Sequence, residues 1–152
     1  MVVSTMIVAV GSDHAGYKLK EKIKTLLEDL HIPYKDFGTD SSDPCDYPEI
    51  GVEVAKAVSN SKCTYGIVTC GTGIGMDIVT NKIQGIRAAL CTSVEMAEKS
   101  RRHNNANILV MGSWQTEWQE AKKIVQVFLN TEFESGGRHE RRVNQIHTLT
   151  GI

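Results

Sequence analysis

Short apolar runs alternate along the chain with segments whose apolar residues recur every three or four positions. Met6 to Val10 is rich in β-branched residues and predicts a first strand. Leu19, Ile23, Leu26, Leu27 and Leu30 then fall on one side of an amphipathic helix. Pro33 to Phe37 reads as a second strand. Residues 38 to 48, rich in Gly, Asp, Ser and Pro, read as a loop. Ile50, Val54, Ala57 and Val58 mark the next helix, and Tyr65 to Cys70 a third strand. Ile74, Ile78 and Ile83 predict a short helix ending near Gly85, followed by a fourth strand over Arg87 to Cys91. Ser93 is placed to cap a helix running to about Arg102. Ile108 to Met111 is the fifth strand, and Thr116 to Leu129 a helix with Ile124, Val125, Phe128 and Leu129 inward. After the turn-like Glu134-Ser135-Gly136-Gly137, a last helix carries Val143, Ile146 and Leu149.

Strands alternating with helices predict an α/β fold: a three-layer α/β/α, Rossmann-like sandwich around a five-stranded parallel sheet, with an extra C-terminal helix. No repeat, low-complexity tract or linker divides residues 1–152, so one domain is expected. In such sheets ligands gather beyond the carboxyl ends of the strands. Those ends carry Gly11-Ser12-Asp13-His14, the loop with Asp46 and Tyr47, Cys70 to Gly75, Cys91-Thr92-Ser93, and Gly112-Ser113-Trp114.

Composition narrows the partners. Seventeen Lys and Arg against 18 Asp and Glu give a net charge of −1, which argues against nucleic acid or an anionic membrane as the main partner. No apolar stretch approaches the roughly 20 residues that cross a bilayer. The opening MVVSTMIVAVGSDHAG has no basic segment ahead of its apolar stretch, so a secretion signal is not expected. Cys45, Cys63, Cys70 and Cys91 form no C-x-x-C pair and show no zinc-ligand spacing. Free thiols in a reducing cytoplasm are the expectation, with Cys63 and Cys91 as small buried hydrophobes.

Cys70 differs from them because a glycine-rich loop succeeds it. GTGIG at 71 to 75 is neither a dinucleotide fingerprint, whose third glycine would fall at Met76, nor a P-loop, since it lacks a Gly-Lys-Ser/Thr ending. Gly71, Gly73 and Gly75 still let backbone approach a ligand, and amides at the start of the next helix can hold a phosphate or a transient oxyanion. A bare G-x-G-x-G reads equally well as a tight turn. A thiol beside such a loop, however, gains thiolate character, and Thr72 offers a hydroxyl to the same space. Asp13-His14 and His103-Asn104-Asn105 are ambiguous alone. Arg138 and Arg142, four apart, share a helix face that suits either a phosphate clamp or a solvated surface.

Taken together, GSDHAG (11–16), DYPEIG (46–51), CGTGIGM (70–76), NKIQGIRAALC (81–91), SRRHNNANILVMG (100–112) and GGRHERR (136–142) resemble one family. It is the type B ribose-5-phosphate isomerases, related to the galactose-6-phosphate isomerases. The galactose branch does not keep the His-Asn pair and the GGRHxxR ending together, which favours a pentose phosphate. The resemblance implies interconversion of ribose 5-phosphate and ribulose 5-phosphate, with no metal or organic cofactor. It puts the base that moves the proton on Cys70 and the ring-opening acid/base on His103. Gly71, Gly73, Ile74 and Gly75 would hold sugar oxygens with help from Thr72, and Asp13 would meet the anomeric end. His14, Arg138 and Arg142 would serve the phosphate, with Asn104 and Tyr47 lining the site.

The chemistry agrees with these residue types. Aldose–ketose exchange needs a base, a stabiliser for an enediolate oxygen and an acid that opens the ring. A hexose 6-phosphate isomerase and a non-catalytic phosphosugar-binding domain are the competing readings, and binding alone would require neither Cys70 nor His103. One position departs: many relatives place a phosphate-binding arginine where this chain has Trp114. Arg138 and Arg142 would then suffice, or Arg101 or Arg102 would substitute.

The expected topology adds a constraint. His103 and Asn104 precede the fifth strand, at the amino edge of the sheet, whereas Cys70, Asp13 and Tyr47 come after strands, at the carboxyl edge. A five-residue strand spans about 17 Å. Unless the loop from Arg102 to Asn107 doubles back, the two groups meet only across two chains. A two-fold dimer does this, and the resemblance likewise implies a homodimer, or a dimer of dimers, with sites between subunits.

Overall fold

The computed structural model describes residues 5–152; Met1 to Ser4, the start of the stretch expected to lack a secretion signal, lie outside the described residues. Five parallel strands, β1 (Val8–Ser12), β2 (Tyr34–Asp36), β3 (Tyr65–Cys70), β4 (Ala88–Leu90) and β5 (Ile108–Gly112), lie in the order β2-β1-β3-β5-β4. The helices are α1 (Tyr17–Asp29), α2 (Tyr47–Ser59), α3 (Ile74–Thr80), α4 (Val94–Asn104), α5 (Trp118–Asn130) and α6 (Arg138–Thr150). The chain leaves β1 toward β2 on one side and returns to β3 on the other. This reversal opens a crevice between the carboxyl ends of β1 and β3, where doubly wound sheets hold ligands.

Every residue of β1 and β5 is buried, because helices cover both faces of the sheet. On one face Leu19, Ile23 and Leu27 of α1 pack with Ile124 and Phe128 of α5 and Ala97 of α4. On the other, Val54 and Val58 of α2 pack with Met76 of α3 and Ile86. Each fully buried Leu, Ile or Phe contributes about 1.5–3 kcal/mol. The Ser93 hydroxyl accepts from the Met96 amide, so α4 starts where its cap was expected.

Several boundaries differ from the sequence expectation. The first strand is shifted toward the crevice, from Met6–Val10 to Val8–Ser12, because Gly11 and Ser12 continue the ladder opposite Val68 and Thr69. A Cβ on Gly11 would lie 2.8 Å from Ile50 and Val54, so α2 packs directly on that backbone. α2 begins at Tyr47 rather than near Ile50, with Pro48 in its first turn. α3 stops at Thr80, and Asn81 to Gly85 form turns instead of a continued helix. On α6, Val143 is buried, whereas Ile146 and Leu149 are 44% and 82% exposed.

One buried cation joins α1 to the sheet edge. The Lys20 ammonium, 1% exposed, donates to both Asp36 carboxylate oxygens at 2.7 Å and to the Thr39 carbonyl. Lys24 donates to the same carboxylate at 2.8 Å.

Candidate active site

β3 delivers Cys70 to the crevice as a buried residue, 5% exposed. Its sulfur accepts from the Gly73 amide at 3.2 Å. The loop turns because Gly73 takes the left-handed conformation, φ 82°, and a Cβ there would lie 2.5 Å from Leu90. The Thr72 hydroxyl accepts from the Ile74 amide at 3.2 Å. Among the described residues, the amides of Thr72 and Gly75 meet no protein acceptor.

The outer glycines make room for aromatic rings. A Cβ on Gly71 would fall 2.7 Å from the Trp114 ring, and one on Gly75 would fall 2.5 Å from the Tyr47 ring. Trp114 and Tyr47 therefore stand on the loop's two flanks, 71% and 37% exposed. Ile74, the first residue of α3, is half exposed.

The β1 loop closes the other side. Asp13 is buried, and its carboxylate accepts from the Gly16 amide at 3.0 Å. The Cys45 amide donates to Nδ1 of His14 at 3.2 Å. The same nitrogen lies 3.3 Å from the Cys45 carbonyl, so it meets a backbone partner in either tautomer. Two hydroxyls stitch the edge together: Thr69 donates to the Gly16 carbonyl at 2.9 Å, and Ser113 to the Ala15 carbonyl at 2.8 Å.

A second group gathers at the opposite edge. His103 and Asn104 end α4, and Asn105 takes φ 47° so that Ala106 donates back to Ser100. Asn107 then donates to the Arg87 carbonyl and accepts from the Gly66 amide, at the amino ends of β4 and β3. The chain from Arg102 to Asn107 thus enters β5 directly and does not double back. Gly66 pairs with Ile108, and Cys70 with Gly112. Four strand steps of about 3.3 Å, or about 13 Å, separate those levels, with His103 lower still. α6 runs beside this edge with Arg138 and Arg142 exposed and, among the described residues, in no ion pair with an acidic side chain.

The fold therefore brings Asp13, His14, Tyr47, Cys70, Gly71, Thr72, Gly73, Ile74 and Gly75 to one edge. It holds His103, Asn104, Arg138 and Arg142 at the other. Arg101 is not available to a phosphate. It is 4% exposed and bonds the carbonyls of Thr131 and Ala106, the Asn105 side chain and the Tyr65 hydroxyl. Arg102, paired with Glu98 at 3.1 Å, stays exposed.

Cys63 and Cys91 are buried, as the sequence suggested. Burial pushes the Cys63 thiol up, and pushes the Cys91 thiol up to about 11. The sequence showed no metal-ligand spacing, but folding gathers His103, Glu134 and His139, whose ligand atoms lie within 4.8 Å of one another. The two imidazoles stack at 4.0 Å. Desolvation, then His103 and the neighbouring arginines, lower the His139 pKa. No local motif signals this trio, since its members come from α4, a loop and α6.

A thiol, a glycine loop and an imidazole thus meet at the switch point of a parallel sheet, where α/β proteins of this class hold small ligands. A model of the family described as Ribose/Galactose Isomerase matches residues 8–146. Ribose-5-phosphate isomerase B of Escherichia coli is 42% identical over 93% of this chain and 95% of its own length. The solved ribose-5-phosphate isomerase B of Clostridium thermocellum superposes with a TM-score of 0.94 at 45% identity, covering 96% of this chain and 98% of that one. The enzyme from Thermotoga maritima gives 0.90 at 44%, over 94% and 98%. The chain belongs to the ribose/galactose isomerase family.

Proposed function

We propose that this protein is an aldose–ketose isomerase that interconverts D-ribose 5-phosphate and D-ribulose 5-phosphate, the reaction that gives its relatives their name. The observation that carries the reading is Cys70, poised at the β1–β3 crevice with the Gly73 amide on its sulfur. In the open-chain sugar, the Cys70 thiolate takes the proton from the carbon beside the carbonyl. It returns that proton to the neighbouring carbon once the double bond has moved. Amides of the 71–75 loop, with Thr72, meet the enediolate oxygen, and their charge-assisted bonds grow as negative charge develops there. Asp13 meets the anomeric end, Tyr47 and Ile74 line the sugar, and His14 serves the phosphate.

His103 opens the furanose ring, Asn104 lines the sugar, and Arg138 and Arg142 clamp the phosphate. These four come from the second chain of a homodimer, because about 13 Å of strand keeps them from Cys70 within one subunit. The dimer, or a dimer of dimers, works as a single-domain enzyme over residues 1–152 in the cytoplasm, where Cys70 stays reduced.

The test is a coupled isomerase assay on ribose 5-phosphate, unphosphorylated ribose and the 6-phosphates of galactose and allose, with wild type and Cys70→Ala. Turnover is expected on ribose 5-phosphate alone, and none is expected from the variant. Faster turnover of a hexose 6-phosphate would reassign the substrate, and normal turnover by Cys70→Ala would remove the base.

A further inference from the structure

His103, Glu134 and His139 make an unusual trio beside a set of arginines. The trio is held in place by its surroundings. The Glu134 amide donates to the Arg102 carbonyl at 2.9 Å, fixing the loop next to His103. The Glu140 carboxylate accepts from the Gly136 amide at 2.8 Å, which fixes the approach to the first turn of α6 and hence His139. All three ligand atoms lie within 4.8 Å of one another. A metal at about 2.0–2.2 Å from each ligand needs them about 3.3–4 Å apart. Exposed Glu134 and half-buried His139 can close that gap by side-chain rotation.

We infer that His103, Glu134 and His139 form an inhibitory site for a borderline-soft divalent transition metal such as Zn2+ or Co2+. Two imidazoles and one carboxylate, with water in the fourth position, match the tetrahedral preference of these ions. Mg2+ and Ca2+ are disfavoured. They demand several oxygen ligands, and Arg138 and Arg142 nearby repel an ion that gains little from imidazole. A metal on His103 occupies the lone pair that ring opening requires, so turnover falls as the site fills. This consequence rests on the role given to His103 above; the metal site itself does not.

The experiment titrates Co2+ into the intact, metal-free protein in a phosphate-free buffer and monitors the visible ligand-field bands, which intensify when the ion becomes four-coordinate. Isomerase activity is measured in parallel. Wild type should bind with intensified bands and lose turnover. His139→Asn and Glu134→Gln should keep metal-free turnover but bind at least about tenfold more weakly, since loss of an outer-shell partner alone costs about 10–100-fold. Both variants should also resist inhibition. Absence of intensified bands in wild type, or binding and inhibition undiminished in His139→Asn, would overturn the site and point to another ligand such as a thiol. Binding that is lost in both variants but leaves wild-type turnover intact would support the site while removing His103 from ring opening.

Discussion

Two inactive variants should repair each other. Cys70→Ala removes the proposed base from one edge of the sheet, and His103→Ala removes the ring-opening imidazole from the other. Cys70 pairs with Gly112 and Gly66 with Ile108, so about 13 Å of strand lies between the two levels. His103 sits five residues before Ile108 in the chain, below the lower level. Proton transfer needs heavy atoms about 2.6–3.2 Å apart, or one intervening water. No rotation of either side chain spans the remainder, so with the roles proposed above each working site draws on two chains. Mixed one to one and allowed to exchange, the two variants form mixed dimers about half the time. Each mixed dimer holds one intact site of two, so about a quarter of wild-type turnover should return. The assay measures ribose 5-phosphate isomerisation before and after exchange, with subunit mixing tracked by native mass spectrometry of an isotope-labelled partner. Complete mixing without recovery would place both residues in one chain and refute the two-chain reading.

Cys91→Ala should keep most activity and lose only about 1 kcal/mol of stability in urea unfolding, the scale of a small buried side chain. Iodoacetamide at neutral pH should label Cys70 ahead of Cys91, whose thiol is pushed up to about 11 by burial; preferential labelling of Cys91 would mean that the wrong thiol was chosen. Asp36 gives the pH dependence. Burial alone would raise its carboxyl, but the bonds from Lys20 and Lys24 and the Gly38 amide outweigh this and hold it below the ordinary carboxylate value. A depressed folded pKa adds stability above the unfolded value, and that contribution is lost as pH falls through the folded one. The Tm gap between wild type and Asp36→Asn should therefore be widest near neutral pH and should close below about pH 4; a gap that ignores pH would contradict the ion pair.

The strands were legible because buried parallel strands read as apolar runs, and Tyr65–Cys70 matches its expected span residue for residue. β1 lies off its expected span because Gly11 and Ser12 look like a turn, and only the packing of α2 on Gly11 keeps them in the ladder. The glycine-rich turn that follows Cys70 was visible in the sequence itself. The pairing of Gly71 with Trp114 and of Gly75 with Tyr47 was not, since both are contacts made by tertiary packing. Arg101 looked like a spare cation because its charge is local information, while its four hydrogen-bond partners span residues 65 to 131. The closeness of His103 to His139 was hidden for the same reason.

The two hydroxyl stitches at the carboxyl edge have a consequence for how the protein meets a substrate. Thr69 fastens the β1 loop to β3 from 53 residues away, and Ser113 fastens it to β5 from 98. The β1 loop is thus tied both to β3 and to the segment that follows β5. The conformational entropy of ordering these segments is lost when the chain folds rather than when the sugar arrives. Cutting one stitch should loosen the loops it joins together, so substitutions at Thr69 and Ser113 should be non-additive in affinity even though neither side chain needs to touch the substrate.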